Sequence, residues 1–421
     1  MTSALRHLTS DGWLLFATRF IRLFAYGALS VVLVFYLVGL GLTESDTGLL
    51  LTSTLTGDTL VSLYLTTQAD RLGRRRMLIV GAILMAAAGL VFAFTHQLWL
   101  LVVAGTIGVI SPSGNEVGPF LPIEQAALSQ VVEDRVRTEV FAWYTLAGSL
   151  ATALGSLAAG AVTYALQQTS VASVNGYRAV VILYALLGLV LACLFARVTS
   201  SAERPAPQSS PNRPSGFAGL AGIHRSRQVV LKLSGLFAVD SFGGGFVIQT
   251  FAAYWFYRRF GVDLRTLGAL FFGANVLAGI SALLASRLAS RIGLLNTMVV
   301  THLPSNVLLI LVPLMPTFRL AAGVLLLRFS ISQMDVPTRQ SYTIAVVSPD
   351  ERSAAAGITG VARTTGAALS PLFAGFLFKN PSLIDVPFYL AGGLKIVYDL
   401  LLFRAFRAVK PPEEAGRRDM R

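Results

Sequence analysis

The chain has 421 residues, of which 54% are hydrophobic and 13% are charged, and its net charge is +13 at pH 7. So many apolar and so few charged side chains exclude an ordinary soluble domain. The basic residues cluster between apolar runs instead of forming one solvated face, which argues against nucleic acid as a partner. The lipid bilayer is therefore the expected surrounding of most of the chain.

Long apolar runs predict about twelve membrane-spanning helices. A span needs ~20 mostly apolar residues, and such a run must be helical because lipid offers the backbone no hydrogen-bond partner. The predicted spans are 12–40, 45–68, 75–95, 98–129, 138–166, 177–198, 228–257, 264–288, 295–315, 318–346, 353–378 and 386–408. The serine- and proline-rich stretch 199–227 predicts a flexible cytoplasmic linker. It would join an N-terminal six-helix bundle over 1–198 to a C-terminal one over 228–421 that ends in a short cytoplasmic tail.

Basic residues in the short loops predict the orientation of the chain, because cytoplasmic loops retain positive charge during insertion. The loops after spans two, four, six and eight, with the C-terminal tail, carry Arg71, Arg74, Arg75, Arg76, Arg135, Arg137, Arg204, Arg213, Arg225, Arg227, Arg291, Arg417, Arg418 and Arg421. Arg258, Arg259 and Arg265, near the connection between spans seven and eight, are an exception. We therefore expect a multi-pass protein of the cell membrane with both termini in the cytoplasm.

Ionisable side chains within the first two spans are candidates for a substrate or proton site, since charges inside a bilayer usually face a partner or a cavity. Arg19, Arg22 and Tyr26 are spaced to share one helical face of span one, and Asp58 lies at similar depth in span two. One interpretation is a structural ion pair between Arg22 and Asp58. The other is an anion-binding arginine or a carboxylate that titrates during transport.

The loop after span two reads Asp70-Arg71-Leu72-Gly73-Arg74-Arg75-Arg76. A carboxylate at a helix end, a glycine turn and four cations can bind a neighbouring helix terminus and hold one conformation. The sequence therefore predicts a conformational switch formed by Asp70, Arg71, Gly73, Arg74, Arg75 and Arg76. The alternative is a topology signal alone, although Asp70 and Gly73 would add nothing to it.

The fourth span carries three prolines and two glycines between residues 111 and 125. These residues cannot occupy one regular helix, and interrupted helices are where transporters expose backbone groups to a substrate or coupling ion. Asn115 and Glu116 are therefore the strongest candidates for a substrate or proton site. The alternative is that this polar segment is a loop outside the membrane.

A repeat relates the two halves of the chain. Residues 69–76 have a degenerate copy at 289–296, displaced by 220 positions, and several later matches are displaced by 215. The second displacement aligns Glu124 and Gln125 with Arg339 and Gln340, and these four residues would form a gate between spans four and ten. A weaker alignment places Arg22 opposite Asp240. Arg328 and Asp335, seven residues apart in span ten, share a helical face and would line the same cavity.

These features resemble the major facilitator superfamily over nearly the whole chain, and the motif from Asp70 to Arg76 carries the resemblance. The resemblance implies two pseudo-symmetric six-helix bundles around a cavity lined by spans one, four, seven and ten. This sequence departs from the superfamily pattern at Thr66, where a glycine is usual. It also departs from the drug/proton antiporters, because residues 100–108 lack their arginine and Ser156 replaces a proline in the fifth-span glycine pattern.

The sequence therefore predicts a secondary active transporter that works by alternating access. The leading expectation is efflux of a small organic molecule in exchange for protons, which a carboxylate such as Glu116 or Asp58 would carry. Symport or exchange of an anionic metabolite is the alternative, and a receptor without transport activity is a third reading. The sequence has no phosphate-binding loop, nucleophile elbow or metal-spaced histidines, so we expect no enzymatic activity, cofactor or metal. We also expect the protein to be a monomer.

Overall fold

The computed structural model describes residues 8–114, 118–132, 137–169, 172–199, 223–348 and 351–409, with the backbone alone for residues 70, 71, 137, 138 and 353. Every regular element in these ranges is helical. The α-helices are α1 (Ser10–Gly39), α2 (Glu44–Leu72), α3 (Arg74–Phe94), α4 (Leu98–Ile107), α5 (Phe120–Val131), α6 (Arg137–Gln167), α7 (Ser173–Phe195), α8 (Arg227–Gly245), α9 (Gln249–Phe260), α10 (Leu264–Ile292), α11 (Leu294–Leu311), α12 (Phe318–Ser332), α13 (Asp335–Ala345), α14 (Arg352–Lys379) and α15 (Val386–Phe406). Short 3-10 turns, Val312–Leu314 and Pro381–Leu383, follow α11 and α14.

Three predicted spans each consist of two helices separated by a break. The broken spans are α4 with α5, α8 with α9, and α12 with α13. When each pair counts as one span, the described residues contain twelve, and nine stretches among them are long and apolar enough to cross a bilayer by themselves. The predicted all-α membrane fold with twelve spans is therefore confirmed.

One tight turn occurs twice and explains the repeat seen in the sequence. Gly73 connects α2 to α3 with φ of +101°, and Gly293 connects α10 to α11 with φ of +91°. A side chain at either position would be strained, because positive φ is readily adopted only by glycine. The copies at 69–76 and 289–296 therefore share a backbone requirement even where their charges differ.

The chain forms two compact units. Unit 1 comprises Met1–Arg213 and Ile248–Val276, and unit 2 comprises Pro214–Val247 and Leu277–Arg421. Helix α9 and the first half of α10 thus pack with the first six spans, through contacts that join α9 to α1. The predicted linker at 199–227 falls mainly on residues outside the described ranges, and the sequence-based division at that segment stays a prediction.

Helix α1 is the central element of unit 1, and it packs very closely against α6. A Cβ atom added to Gly27 would lie 2.1 Å from the carbonyl oxygen of Thr152, and one added to Gly155 would lie 2.0 Å from that of Phe24. Small residues let helix backbones approach within the membrane, where van der Waals contact drives association. Glycine at these positions therefore sets the distance between α1 and α6.

Replacing Gly155 with alanine is expected to destabilise unit 1, because the added methyl group must push α1 away from α6. Overpacking of this kind costs about 1–3 kcal/mol. Thermal unfolding of the purified protein in detergent measures the effect. Gly323→Ala on α12 is the matched control, since nothing lies within 4 Å of an added Cβ there and its stability should be unchanged or higher. An equal loss in both variants would contradict close packing at Gly155.

Outside the spans, Glu351 binds the start of α8 in unit 2. Its carboxylate accepts hydrogen bonds from the backbone N–H groups of His224 (2.6 Å), Arg225 (2.7 Å) and Ser226 (2.8 Å). Hydrogen bonding from Ser226, followed by that from His224, lowers the pKa of Glu351 to about 2. The ionised carboxylate therefore connects the loop between α13 and α14 to the N-terminal end of α8.

This lowered pKa predicts a pH-dependent contribution to stability. The contribution is fully present above the ordinary glutamate pKa of about 4.3 and disappears as the pH falls towards about 2. We expect Glu351→Gln to lower the unfolding midpoint at pH 7, and the difference from the wild-type protein to shrink between these two pH values. A difference that is independent of pH would show that the charge of Glu351 is not involved.

Candidate functional site

The centre of unit 1 contains a fully buried ion pair between α1 and α5. Arg22 Nη1 lies 2.6 Å from Glu124 Oε1, and Arg22 Nη2 lies 2.8 Å from Glu124 Oε2. Thr18 also donates a hydrogen bond to this carboxylate, at 3.1 Å, and so does the hydroxyl of Tyr144. Such a fork geometry uses the planar guanidinium fully. Glu124 is therefore the counter-ion of Arg22 in span one.

The interpretation of Arg22 and Asp58 as an ion pair was wrong. Asp58 accepts one hydrogen bond, at 3.0 Å from the backbone N–H of Gly118, while its Oδ1 has no hydrogen-bond partner in the described part of the chain. Asp58 is 7% exposed. The sequence showed similar depths for Arg22 and Asp58, but the nearer carboxylate comes from α5.

The other two candidates in span one contact aromatic rings. The guanidinium carbon of Arg19 lies 4.4 Å from the centroid of the Tyr144 ring. Tyr26 is fully buried, and its ring stacks on that of Tyr184 at 6.3 Å. Arg19, Arg22 and Tyr26, which the sequence places on one helical face, are all buried within unit 1.

The predicted interruption of span four is present. Helix α4 ends at Ile107 and α5 begins at Phe120, with positive φ at Gly114 (+69°) and Gly118 (+88°) between them. Gly118 brings this segment to Asp58 of α2. Asn115 and Glu116 lie outside the described residues, so their assignment stays a prediction.

The loop motif after α2 makes a contact that supports a conformational role. Arg74 is buried and donates a hydrogen bond of 3.0 Å to the carbonyl oxygen of Ala126 in α5. Arg75 and Arg76 are exposed. The side chains of Asp70 and Arg71 lie outside the described part. The switch formed by this motif therefore stays a prediction, and the hydrogen bond from Arg74 to Ala126 is the contact that supports it.

Unit 2 contains a larger charge cluster centred on Asp240 of α8. Lys395 Nζ lies 2.6 Å from Asp240 Oδ1, and Arg339 Nη1 lies 2.8 Å from Asp240 Oδ2. His302 Nε2 lies 3.6 Å from the same Oδ1, and Arg339 also lies 3.4 Å from Asp335 Oδ2. The carboxylate of Asp240 is thus held by cations from α13 and α15. A metal ion does not fit here, because both oxygens of Asp240 already face positive charge.

The cluster continues to a second buried carboxylate, Asp399 of α15. His302 Nδ1 lies 2.8 Å from Asp399 Oδ1, and Asn306 Nδ2 donates to Asp399 Oδ2 at 3.0 Å. His302, Lys395 and Asp399 were missed by the sequence analysis. Lys395 and Asp399 are charged residues four positions apart in a predicted span, and that signal alone could have identified them.

Of the four predicted gate residues, the two charged ones form ion pairs within their own units and the two glutamines are exposed. Glu124 binds Arg22 in unit 1, and Arg339 binds Asp240 in unit 2. The repeat-related Gln125 and Gln340 are both exposed. Since both carboxylate oxygens of Glu124 are engaged by Arg22, the gate between Glu124 and Arg339 stays a prediction without a described contact.

Two residues of α9 make polar contacts within unit 1 with residues that are distant in sequence. Gln249 at the start of α9 donates to Ser30 at 2.8 Å and to Ser156 at 3.1 Å. At the other end of α9, Arg258 Nη1 lies 2.8 Å from Glu44 Oε1 at the start of α2. Sequence analysis recorded Arg258 only as an exception to the charge rule. Its ion pair gives that exception a structural reason.

The described residues form twelve helical spans with buried ion pairs among them, an arrangement typical of polytopic membrane proteins that transport solutes. A comparison with protein families agrees: the model of the Major Facilitator Superfamily matches residues 15–334. The chain belongs to the Major Facilitator Superfamily. It is accordingly a multi-pass membrane transporter, a class of protein that is generally not enzymatic.

Individual relatives agree with this family. The Saccharomyces cerevisiae protein named Uncharacterized membrane protein YJR124C is 30% identical over 94% of this chain and 94% of its own length. The Quinolone resistance protein NorA of Staphylococcus aureus is 32% identical over 99 residues, which are 24% of this chain and 26% of NorA. A crystal structure of a bacterial homologue of the human lysosomal transporter Spinster, inward-facing and occupied, matches with a TM-score of 0.72 and 16% identity, covering 94% of this chain and 96% of that chain. At that identity the structure supports the fold alone.

Proposed function

We propose that this protein is a secondary active transporter that works by alternating access and exports a small organic solute in exchange for protons. The observation that carries the proposal is Asp58, a buried carboxylate with one oxygen that lacks a hydrogen-bond partner in the described residues. A group of this kind can gain and lose a proton without breaking an ion pair. The short similarity to NorA supports the choice of efflux.

The contact between Asp58 and Gly118 suggests how protonation would act on the fold. The ionised carboxylate of Asp58 accepts the Gly118 N–H from the break between α4 and α5. Protonation removes the charge and weakens that hydrogen bond, because charged acceptors bind more strongly than neutral ones. The broken span would then be freer to rearrange. A proton bound from one side and released to the other would thereby be linked to movement of the solute.

Alternating access also requires contacts that open and close. The ion pair between Glu44 and Arg258, with side chains 18% and 27% exposed, is a suitable one because it is weaker than the buried pairs. The hydrogen bonds from Gln249 to Ser30 and Ser156 would break in the same step. We propose that these contacts form a gate on the side opposite the Arg75 loop.

A second candidate function is symport or exchange of an anionic metabolite. It is favoured by Arg328, whose Nε is buried in α12 without a hydrogen-bond partner in the described residues.

For either function, the exposed Arg75 and Arg76 support placing the loop after α2, and with it both termini, in the cytoplasm. We further propose the cell membrane as the location and the monomer as the working form.

Flux measurements in proteoliposomes test the proposal. The purified chain is reconstituted, loaded with ethidium as a cationic dye or carboxyfluorescein as an anionic one, and given an inside-acid or inside-alkaline pH gradient. We expect one dye to leave the vesicles faster under the inside-alkaline gradient, because protons then enter in exchange for it, and this acceleration to stop when an ionophore removes the gradient. Flux that ignores the gradient would overturn proton coupling, and absence of flux for both dyes would overturn efflux of such solutes.

A further inference from the structure

Two arginines within the spans of unit 2 have no ion-pair partner among the described residues. Arg328 lies in α12 and Arg363 in α14, and each has a buried Nε atom without a hydrogen-bond acceptor in the described part of the chain. Neither forms an ion pair with a described carboxylate. The guanidinium carbon of Arg328 lies over the ring of the adjacent Phe329, at 5.2 Å from its centroid. An arginine inside a membrane normally has a counter-ion, because the bilayer does not solvate its charge.

The carboxylates that interact electrostatically with both arginines are already occupied. Arg328 and Arg363 both interact electrostatically with Asp240 and Asp335, but neither comes within ion-pair distance of them. Arg339 instead binds both of these carboxylates directly. The carboxylates that act on both arginines are therefore already paired with another cation.

Counting the charges of this cluster leaves an excess of positive charge. Its permanent cations are Arg328, Arg339, Arg363 and Lys395. Its carboxylates are Asp240, Asp335 and Asp399. Four cations against three carboxylates give one net positive charge even when His302 is neutral. In a medium of low dielectric constant, such an excess attracts an anion strongly.

We propose that Arg328 and Arg363 bind an anionic group of the transported solute, a carboxylate or a phosphate. Guanidinium groups suit both oxyanions, because their planar donors can form two parallel hydrogen bonds. The inference rests on the proposed transport function in one respect, that a solute reaches unit 2. It adds the chemical class of the solute and a new binding residue, Arg363.

Ligand-dependent thermal stability tests this assignment in detergent, without a gradient. The probes are benzoate, phenyl phosphate and, as a cation of similar shape, benzylamine. We expect at least one of the two anions to raise the unfolding midpoint of the wild-type protein in a saturable manner, and benzylamine to leave it unchanged. Stronger stabilisation by benzoate identifies a carboxylate site, and stronger stabilisation by phenyl phosphate identifies a phosphate site.

Variants locate the site. Arg328→Met and Arg363→Met should each weaken the apparent affinity for the stabilising anion on the order of tenfold, whereas Arg319→Met, an exposed arginine on the same helix as Arg328, should not change it. Without ligand, neither site variant should lose stability, because no ion pair is broken. A purely structural arginine would behave in the opposite way.

The inference is overturned if neither anion stabilises the wild-type protein, if benzylamine stabilises it equally, or if both arginine variants respond like Arg319→Met. These outcomes are independent of the proton-coupling experiment. Anion binding together with flux that ignores a pH gradient would remove proton coupling and keep the site. Gradient-driven flux without anion binding would remove only the site.

Discussion

Replacing Asp58 with asparagine is expected to abolish the response of transport to a pH gradient. Asparagine has nearly the same shape and can still accept the N–H of Gly118, but it cannot bind or release a proton. Coupling between two ligands typically changes affinity by about 5–150-fold, so we expect a fall of roughly tenfold or more in gradient-driven flux. Dye flux in proteoliposomes, with and without the gradient, measures it.

Two further measurements make the Asp58 result specific. Asp58→Glu keeps a titratable group and should restore part of the gradient response. The unfolding midpoint of Asp58→Asn should match that of the wild-type protein or exceed it, because a buried carboxylate without an ion pair is replaced by a neutral amide. A gradient response that persists in Asp58→Asn would exclude Asp58 as the proton carrier and leave Glu116 as the remaining candidate.

The second large effect concerns stability. Asp240→Asn removes the negative charge that Lys395 and Arg339 face at 2.6 and 2.8 Å. Breaking a buried ion pair from one side leaves an uncompensated charge and costs about 3–5 kcal/mol. We expect a correspondingly large fall in the unfolding midpoint of the purified protein, or loss of folded protein after detergent extraction.

A double variant distinguishes charge imbalance from loss of packing. Asp240→Asn combined with Lys395→Met removes one charge of each sign and should recover part of the lost stability. Lys379→Met, at an exposed lysine at the end of α14, is the matched control for the lysine change and should be nearly neutral. If the stability losses of the single variants Asp240→Asn and Lys395→Met simply added in the double variant, the short contact between these residues would contribute nothing to stability.

The helical spans and the break in span four could be predicted closely, but the breaks in spans seven and ten were not predicted. The break in span four follows from its prolines and glycines, and the structure places it between Ile107 and Phe120. The break in span ten, at Gln333 and Met334, lacks such a signal, because Pro337 comes after it and lies inside the first turn of α13. Proline is tolerated in a first helical turn, so its position does not mark where the preceding helix ends.

The partners of the charges were much harder to predict. Arg22 and Asp240 were recognised as candidates because charge is unusual within a span. Their partners, Glu124 and Lys395, lie 102 and 155 residues away. Sequence spacing places a residue on a helix face, but the rotation of that helix against its neighbours decides which side chain it meets. The repeat aligned Glu124 with Arg339, although each is bound within its own unit.

Amino-acid sequence by itself determined the membrane class, the number of spans, the glycine turns at 73 and 293, and the presence of charges within the spans. All of these depend on neighbouring residues: lipid requires a helix of apolar side chains, and positive φ requires glycine. Only the tertiary structure decided which carboxylate neutralises which cation, and that Asp58, Arg328 and Arg363 have no ion-pair partner among the described residues. Electrostatic pairing depends on distances of a few ångströms between helices that are far apart in the chain.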